Sequence, residues 1–267
     1  MLTLTFLLLI FGFALGGNTG LTIALLMSFI INIISFWYSD KITLKIFKAK
    51  KLEYSEYPKI HDIIKDVAMR AGIKTPSVYL IPTNAPNAFA TGRSENNSAV
   101  ALTQGLIEML EERELRGVIA HEIAHIKNKD ILLITITSML AGTLMYIAMI
   151  ARWTAIFSSN KDSNFAEIII LSILAPIAAT IINLAISRSR EFLADETGAK
   201  ITKDPKALGE ALIKIHSSDK RIEFGNPALS NLFISNPFRS SLVLNLMSTH
   251  PSLQARLKKL RKLAFSQ

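Results

Sequence analysis

Long uncharged stretches limit what this chain can fold into more than any other feature. Residues 1–39 contain no charged side chain, and two more uncharged stretches cover residues 131–151 and 168–187. A helix needs about 20 residues to cross the hydrocarbon core of a bilayer, and each of the last two stretches has that length. A polar GGNTG segment at 16–20 divides the first stretch, and SSNKDSN at 158–164 separates the other two. The sequence therefore predicts four membrane spans arranged as two hairpins.

Two other interpretations of these stretches are weaker. A short apolar segment followed by small residues is also typical of a cleaved signal peptide, but no Lys or Arg follows Met1 at the start of this one. One apolar stretch alone can be a buried core helix, whereas two stretches joined by a short polar turn favour a membrane hairpin. We therefore expect a retained hairpin at residues 1–39, although its first half of about 15 residues reaches only roughly 22 Å.

Positive charge near the ends of the spans predicts their orientation, because Lys and Arg concentrate on the cytoplasmic side. The loop between spans three and four contains only two basic residues, Arg152 and Lys161. More cations follow spans two and four: Lys41, Lys45, Lys48, Lys50, Lys51, Arg188, Arg190 and Lys200. We expect a multi-pass protein of a cell membrane (inner or plasma membrane), with residues 40–130, residues 188–267 and both termini on the cytoplasmic side. The GGNTG and SSNKDSN segments would face the opposite side. The predicted organisation is a transmembrane hairpin at 1–39, the first part of a catalytic domain at 40–130, a second hairpin at 131–187, and the rest of the domain at 188–267.

The composition excludes two other kinds of site. The chain has a net charge of +9, but it lacks the interleaved aromatic and basic residues that are typical of RNA-binding proteins. We therefore expect no nucleic-acid partner. The basic segment RLKKLRKL at 256–263 is better explained as an amphipathic helix facing anionic lipid, or as a solvated face. The chain has no cysteine, so it forms no disulfide, and any zinc ion must be held by histidines and carboxylates.

The polar regions are predicted to form an α+β domain that is mostly helical and carries a small antiparallel sheet. Residues 55–72 have the apolar stripe of an amphipathic helix. Residues 77–81, 87–91 and 98–102 have the composition of short strands. Further helices are predicted for LIEML, for the segment that begins near EEREL, for PKALGEALIKIHS, and for residues 251 to about 263.

A His-Glu-x-x-His motif, HEIAH, lies on the helix that begins near EEREL. His121 and His125 are four residues apart and share one helical face, so both imidazoles reach one ion, and Glu122 can touch a metal-bound water. The motif can arise by chance in an ordinary helix. However, two of only five histidines fall in this pattern, which favours one zinc ion per chain. Zinc would lower the pKa of its water, and Glu122 would be the base that takes the proton.

A catalytic zinc site needs a third protein ligand and an open position for water. The extended motif with a third histidine fails, because Asn128 and Leu132 stand where its Gly and His would be. The other histidines, His61, His216 and His250, show no ligand spacing.

A carboxylate is the better candidate for the third ligand. Spans three and four would run antiparallel, so the residues before one lie beside those after the other. His125 would then stand about 7.5 Å, and Glu191 about 6 Å, beyond the same membrane face. Asp195, one turn after Glu191, could accept the second ring N–H of a ligand histidine. Glu191 can also be read as an exposed glutamate beside Arg188 and Arg190.

The chain resembles the HtpX-type membrane zinc endopeptidases, which are relatives of the CaaX prenyl proteases. Two segments carry the resemblance, HEIAHIKNKD at 121–130 and SRSREFLADETGAK at 187–200. It extends over essentially the whole chain through PNAFATG at 86–92, VALTQGLIEML at 100–110 and STHPSLQARL at 248–257. One departure is Lys129, where the family more often has Gly.

The resemblance implies a gluzincin-like zinc protease domain and a role for each site residue. His121, His125 and Glu191 would hold zinc, Glu122 would be the catalytic base, and Asp195 would support a ligand histidine. Family members act on damaged or misassembled membrane proteins and on unfolded polypeptides in membrane protein quality control, often in stress responses. The expected partners are therefore such polypeptides and the lipid bilayer, and self-cleavage is expected.

The resemblance also places NAFATG in the edge-strand region that receives the substrate. We expect the substrate to lie extended along the strand at 98–103, through backbone hydrogen bonds that read little sequence. The expected substrate contacts are Asn87, Phe89, Ala99, Val100 and Ala101. A further donor should stabilise the oxyanion, and the candidates are His250, Arg188 and Arg190. His250 is equally well explained as a structural cap before Pro251.

Two rival functions are weaker. A specific prenyl-peptide processing protease would need an enclosed chamber built from more than four spans. A non-catalytic membrane adaptor that keeps zinc for structure would have no use for the base Glu122.

Overall fold

The computed structural model describes residues 2–157, 165–222, 233–234 and 251–265. The chain divides into two compact units. The first comprises Met1–Trp37 and Leu132–Ile186, and the second comprises Tyr38–Ile131 and Ser187–Gln267.

The first unit begins with a helical hairpin. Helix α1 spans Leu2–Trp37 but is interrupted at Gly16 and Gly17, where the backbone is not helical. Gly17 has a φ of 55°, a left-handed conformation that glycine adopts without strain. A Cβ atom placed on Gly20 would lie 2.0 Å from the carbonyl oxygen of Gly12, so the two halves of α1 cross in close contact. The chain therefore folds back within the GGNTG segment.

Two helices among the described residues are long and apolar enough to cross a membrane. They cover Leu4–Trp37 and Asp130–Ile150. The second of them belongs to α6 (Asp130–Phe157), and α7 follows at Phe165–Thr202. Many exposed side chains of these helices are Leu and Ile, as a lipid environment requires. Four spans stay a prediction.

The remaining elements belong to the second unit. They are α2 (Ser39–Ile46), β1 (Lys50–Lys51), α3 (Pro58–Ala71), β2 (Ser77–Ile81), β3 (Ala88–Ser94), β4 (Asn97–Thr103), α4 (Gln104–Met109), α5 (Glu112–Lys127), α8 (Pro205–Ser217) and α9 (Leu253–Phe265). The strands and helices predicted for this part of the chain are confirmed, with shifts of a few residues at their ends. Helix α2 and strand β1 were not predicted, because both are short and rich in Lys.

The four strands form one mixed sheet in the order β1-β2-β4-β3. Strand β4 pairs antiparallel with β3 and parallel with β2, while β1 pairs antiparallel with β2. The prediction of an antiparallel sheet is therefore wrong. The chain passes from β2 to the far edge of the sheet before the β3–β4 hairpin returns it, which leaves β4 between two partners.

The main core lies between the helices of the second unit and the sheet. The predicted stripe of α3 is buried, with Ile60, Ile63 and Ile64 each at most 4% exposed. This face packs with apolar residues of α5, α8 and β4. Helix α9 adds Leu257 and Leu260 to the buried side chains of this unit. The core holds α5, the helix of the HEIAH motif, with most of its side chains buried.

Candidate metal centre and active site

Helix α5 ends two residues after the second histidine of the motif. It begins with a capping box, in which Glu111 and Glu114 each bind the other's backbone N–H. It ends at Lys127, and Lys129 then takes a left-handed φ of 57° before α6 begins at Asp130. The motif helix and the apolar helix α6 are therefore separate elements, because the left-handed residue ends the helical hydrogen-bond ladder.

One face of α7 lies against the motif. Glu191, Asp195 and Gly198 are spaced by four and three residues, which places them on the same side of a helix. A Cβ atom at Gly198 would lie 3.0 Å from the backbone nitrogen of His121, so the glycine allows close contact. Glu191 is 7% exposed and Asp195 is 1% exposed. Both carboxylates are therefore buried beside the histidines.

The side chains of His121, His125 and Glu191 converge, as predicted for the metal ligands. One ligand atom from each lies within 4.8 Å of the other two. The two Nε2 atoms are 3.1 Å apart, and the Glu191 oxygens lie 3.7 Å from the first and 3.5 Å from the second. Two nitrogens bound to a tetrahedral zinc ion lie about 3.3 Å apart, so the spacing fits such an ion.

An Asp–Arg pair holds the first histidine. Nδ1 of His121 donates to Asp195 Oδ1 at 2.9 Å. Arg256 binds both oxygens of the same carboxylate, through Nε at 2.9 Å and Nη2 at 2.6 Å. His121, Asp195 and Arg256 are each at most 1% exposed. We call Asp195 and Arg256 the deep pair.

A second Asp–Arg pair holds the other histidine. Nδ1 of His125 donates to Asp130 Oδ2 at 2.6 Å. Arg190 binds the other oxygen of this carboxylate and also donates to the carbonyl of Asn128 at 2.7 Å. The side chains of His125 and Arg190 are 20% and 16% exposed. We call Asp130 and Arg190 the shallow pair.

These contacts decide which ring nitrogens are available to a metal. An ionised carboxylate only accepts hydrogen bonds, so both Nδ1 atoms carry their protons. In the neutral rings both Nε2 atoms then carry lone pairs, and these face each other at 3.1 Å next to Glu191. Such an arrangement is repulsive unless a cation or a proton lies between the two nitrogens. It is the arrangement in which histidine binds a metal through Nε2.

The charges at the site favour a divalent cation. Four carboxylates meet there, from Glu122, Asp130, Glu191 and Asp195, each at most 7% exposed. Among the described residues, the guanidinium groups of Arg190 and Arg256 form ion pairs with them. Because buried carboxylates need compensating positive charge, this concentration of carboxylates favours binding of a cation.

Glu122 lies between the motif and the sheet. It is 1% exposed, and its carboxylate accepts a hydrogen bond from the backbone N–H of Ala90 on β3. Its Oε2 atom has no hydrogen-bond partner among the described residues. The motif glutamate thus has one oxygen held by the edge strand and the other left for a ligand.

Burial shifts the pKa values of the site in opposite directions. It lowers the pKa of His121 to about 4, which keeps the ring neutral and able to bind a metal. It raises the pKa of Glu122 to about 7, and the nearby Glu191 adds to this effect. Burial also disfavours the charge of Asp195, but Arg256 and the hydrogen bond from His121 outweigh it and lower that pKa to about 2.

The predicted substrate contacts on β4 are wrong. Ala99, Val100 and Ala101 are buried on a strand whose two edges are already paired with β2 and β3. They have no free edge on which a substrate backbone could form hydrogen bonds. The sheet edge next to Glu122 belongs to β3.

The predicted contacts that precede and open β3 have structural roles. Phe89 is fully buried and packs on Phe47 and Phe233, so the substrate assignment is wrong for this residue. Asn87 is 2% exposed, and its side chain accepts the N–H of Ala88. The carbonyl of Ala88 accepts the N–H of Ile234. The outward edge of β3 is therefore already bonded at Ala88.

The three predicted oxyanion donors have different outcomes. Arg190 uses one guanidinium nitrogen to bind Asp130 and the carbonyl of Asn128, and its role as an oxyanion donor stays a prediction. Arg188 is half-buried on the same helix, and its role stays a prediction. His250 lies outside the described residues.

Sequence reasoning missed Arg256 and Asp130. Arg256 was included in a basic face, yet it shares a helical stripe with Leu253, Leu257 and Leu260, and a cation on an apolar stripe signals a buried partner. Asp130 was not considered as a partner of a histidine. It lies only five residues after His125, and this short separation is the signal that could have suggested the contact.

Comparison with known proteins gives evidence that is independent of the site geometry. The model of peptidase family M48 matches residues 55–264. The chain is 47% identical to a Protease HtpX homolog of Thermococcus sibiricus, over 99% of this chain and 94% of the relative. Another Protease HtpX homolog, from Pyrococcus furiosus, is 47% identical over 99% and 93% of the two chains. One from Aquifex aeolicus is 44% identical over 97% and 89%.

A solved structure shares the fold. The crystal structure of Ste24p from S. mikatae superimposes with a TM-score of 0.59 at 20% sequence identity. The match covers 97% of this chain, and the chain spans 62% of that protein's length. The family match and the high identity over nearly the full chain show that this protein belongs to peptidase family M48 and is a metalloprotease similar to the HtpX proteases.

Proposed function

We propose that the protein is a zinc endopeptidase in which His121, His125 and Glu191 hold one zinc ion and Glu122 is the general base. The observation that carries this proposal is that the Nε2 atoms of His121 and His125 lie 3.1 Å apart beside Glu191. Two histidines and one glutamate are a ligand set of catalytic zinc sites. Three protein ligands leave a fourth position for water, as a catalytic site requires.

The residues around the metal divide the chemical work. When bound, zinc would activate water and polarise the scissile carbonyl as a Lewis acid. Glu122 takes the proton of the attacking water and passes it to the leaving amine. Because a nearby divalent cation stabilises negative charge, it would lower the pKa of Glu122 from its value in the metal-free chain and favour the base form. The deep and shallow pairs hold the two imidazole rings.

The substrate backbone would pair with β3, because that strand forms the sheet edge beside Glu122. Its N-terminal end is closed by the hydrogen bond from Ile234 to Ala88, and the N–H of Ala90 binds Glu122, so pairing would begin beyond that N–H. Backbone pairing reads little side-chain sequence, and broad specificity follows from it.

The natural substrates would be damaged or misfolded membrane proteins and unfolded polypeptides, cleaved at the cytoplasmic face in membrane protein quality control. Similarity to the HtpX proteases supports the membrane setting, as do the two apolar helices. The Lys residues at 41–51 support the cytoplasmic orientation. Lipid is then the solvent of the first unit, and self-cleavage is an expected side reaction.

Zinc-triggered proteolysis tests the proposed reaction. The full chain, purified in detergent with a chelator, is supplied with zinc, and cleavage of casein and of the chain itself is followed beside Glu122→Gln. Cleavage by the parent and none by the variant is expected. Equal cleavage by both would point to a contaminating protease and reject the assignment.

Single cysteines test the proposed orientation, since the chain has none of its own. Lys65 and Asn18 are exposed in the second and first units. In intact cells an impermeant thiol reagent should label Asn18→Cys and leave Lys65→Cys unlabelled. The reverse pattern would reject a cytoplasmic active site.

A further inference from the structure

The shallow pair offers a role for two residues that touch neither substrate nor metal. We propose that Asp130, held in place by Arg190, is a positioning residue that fixes the ring of His125 for metal binding. This inference rests on the proposed zinc site, and it attributes the orientation of one metal ligand to a specific charge pair.

The first step is the contact with the histidine. Asp130 is 3% exposed, and its Oδ2 lies 2.6 Å from His125 Nδ1. Since the carboxylate can only accept, the proton stays on Nδ1 and the Nε2 lone pair stays directed at the metal position. The other tautomer would place a proton where the metal binds. Asp130 therefore selects the form of His125 that can act as a ligand.

The second step is the anchor of the carboxylate. One guanidinium nitrogen of Arg190 donates to Asp130 Oδ1 and to the carbonyl of Asn128, the residue that follows α5. Arg190 thus ties the end of α5 to the start of α6. Glu191 is the next residue in the chain, so the same turn of α7 supplies a metal ligand and the anchor of another ligand.

The third step is that an ion pair alone does not explain the geometry. An Asp–Arg pair needs no histidine to satisfy its charges, yet Asp130 divides its two oxygens between Arg190 and His125. The deep pair repeats this division at His121. Removing such a supporting carboxylate typically weakens metal binding about 10- to 100-fold.

The test is the zinc affinity of the metal-free full chain in detergent, measured by competition with a chromophoric chelator. Asp130→Asn should bind zinc about 10- to 100-fold more weakly than the parent. Asp204→Asn is the matched control. Asp204 also lies at a helix N-terminus and accepts from an arginine, Arg113, but it belongs to α8 and not to the site. Its substitution should leave the zinc affinity unchanged.

Two further readouts separate positioning from general stability. With zinc in excess, Asp130→Asn should regain most of its casein cleavage, because Asp130 touches no reacting atom. Arg190→Lys should weaken zinc binding in the same direction but less, and it carries the test if Asp130→Asn does not fold. Unchanged zinc affinity in both folded variants would overturn this inference while leaving the zinc site intact. A parent chain that binds no zinc would overturn the proposed function itself.

Discussion

The two histidines of the motif are supported by the same pair of residue types in different surroundings. The deep pair, Asp195 and Arg256, is fully buried and joins α7 to α9. The shallow pair joins Asp130 at the start of α6 to Arg190 within α7, and its arginine keeps contact with solvent. The contacts with the rings are nevertheless alike, at 2.9 Å and 2.6 Å.

Because the two pairs differ in burial, breaking them should have different effects on the protein. A buried carboxylate that loses its cation has no water to replace it, so breaking the deep pair should strongly destabilise the fold. Water can partly compensate a broken pair near the surface. The shallow pair should therefore affect metal affinity more than stability. Each prediction below tests one side of this comparison.

The largest effect is expected for Arg256→Met. It leaves Asp195 buried without its guanidinium, and losing one partner of a buried pair costs about 3–5 kcal/mol. Denaturant unfolding of the metal-free protein in detergent measures the loss. Arg261→Met, an exposed position on the same helix, should change the free energy of unfolding by less than about 0.5 kcal/mol. Equal stabilities of the two variants would remove the distinction between deep and shallow pairs.

The next effect is the pH dependence of stability, and it concerns the buried residues His121 and Glu122. The folded pKa of His121 is lowered from 6.5 to about 4, so its contribution to stability is present above pH 6.5 and is lost as the pH falls toward 4. The folded pKa of Glu122 is raised from 4.5 to about 7, so its contribution falls as the pH rises through the same interval. In the parent the two slopes nearly cancel.

Glu122→Gln removes one of these slopes. The free energy of unfolding of the metal-free variant should drop by about 3 kcal/mol between pH 6.5 and pH 4, a pKa unit being worth about 1.4 kcal/mol. The parent should change much less over that interval. Thermal or denaturant unfolding at several pH values measures both. Parallel pH profiles would mean that burial does not raise the pKa of Glu122, and a flat profile in the variant would mean that burial does not hold His121 neutral.

The smallest effect lies in the turn that carries the shallow pair. Lys129 has a φ of 57°, a conformation that costs a non-glycine residue about 1 kcal/mol. Lys129→Gly should therefore stabilise the protein by about that amount and leave the zinc affinity unchanged. Lys203→Gly, at a φ of 56° after α7, is the matched control and should give the same gain. A weaker zinc site in Lys129→Gly would show that the lysine side chain itself holds the turn.

The sequence predicted most of the local structure because its periodicity is strong. The buried stripe of α3 and the strands at 77–81 and 98–102 follow from apolar spacing alone. The convergence of His121, His125 and Glu191 was predictable, because the HEIAH spacing places both histidines on one helical face and a metal site needs a third ligand near them. The family resemblance gave Lys129 as a departure, and the left-handed φ explains why glycine is common there.

Other features depend on contacts that sequence patterns do not encode. The strand order places β4 inside the sheet and β3 at its edge. The sequence of the β3–β4 hairpin does not reveal which of its two strands pairs with β2. The end of α5 depends on the positive φ of Lys129. The long apolar run that begins at Ile131 gives no sign of this break in the helix. Arg256 was missed because a cation in a basic segment resembles its solvated neighbours until a buried carboxylate is seen opposite it.

The central claim is that three residues hold one zinc ion while a fourth performs proton transfer. The most direct measurement is the zinc content of chelator-stripped, zinc-reloaded protein for the parent, Glu191→Gln and Glu122→Gln. We predict one zinc per chain in the parent and in Glu122→Gln, with casein cleavage only in the parent, and loss of tightly bound zinc in Glu191→Gln. Retention of zinc by Glu191→Gln, or equal loss in both variants, would contradict this assignment of ligands and base.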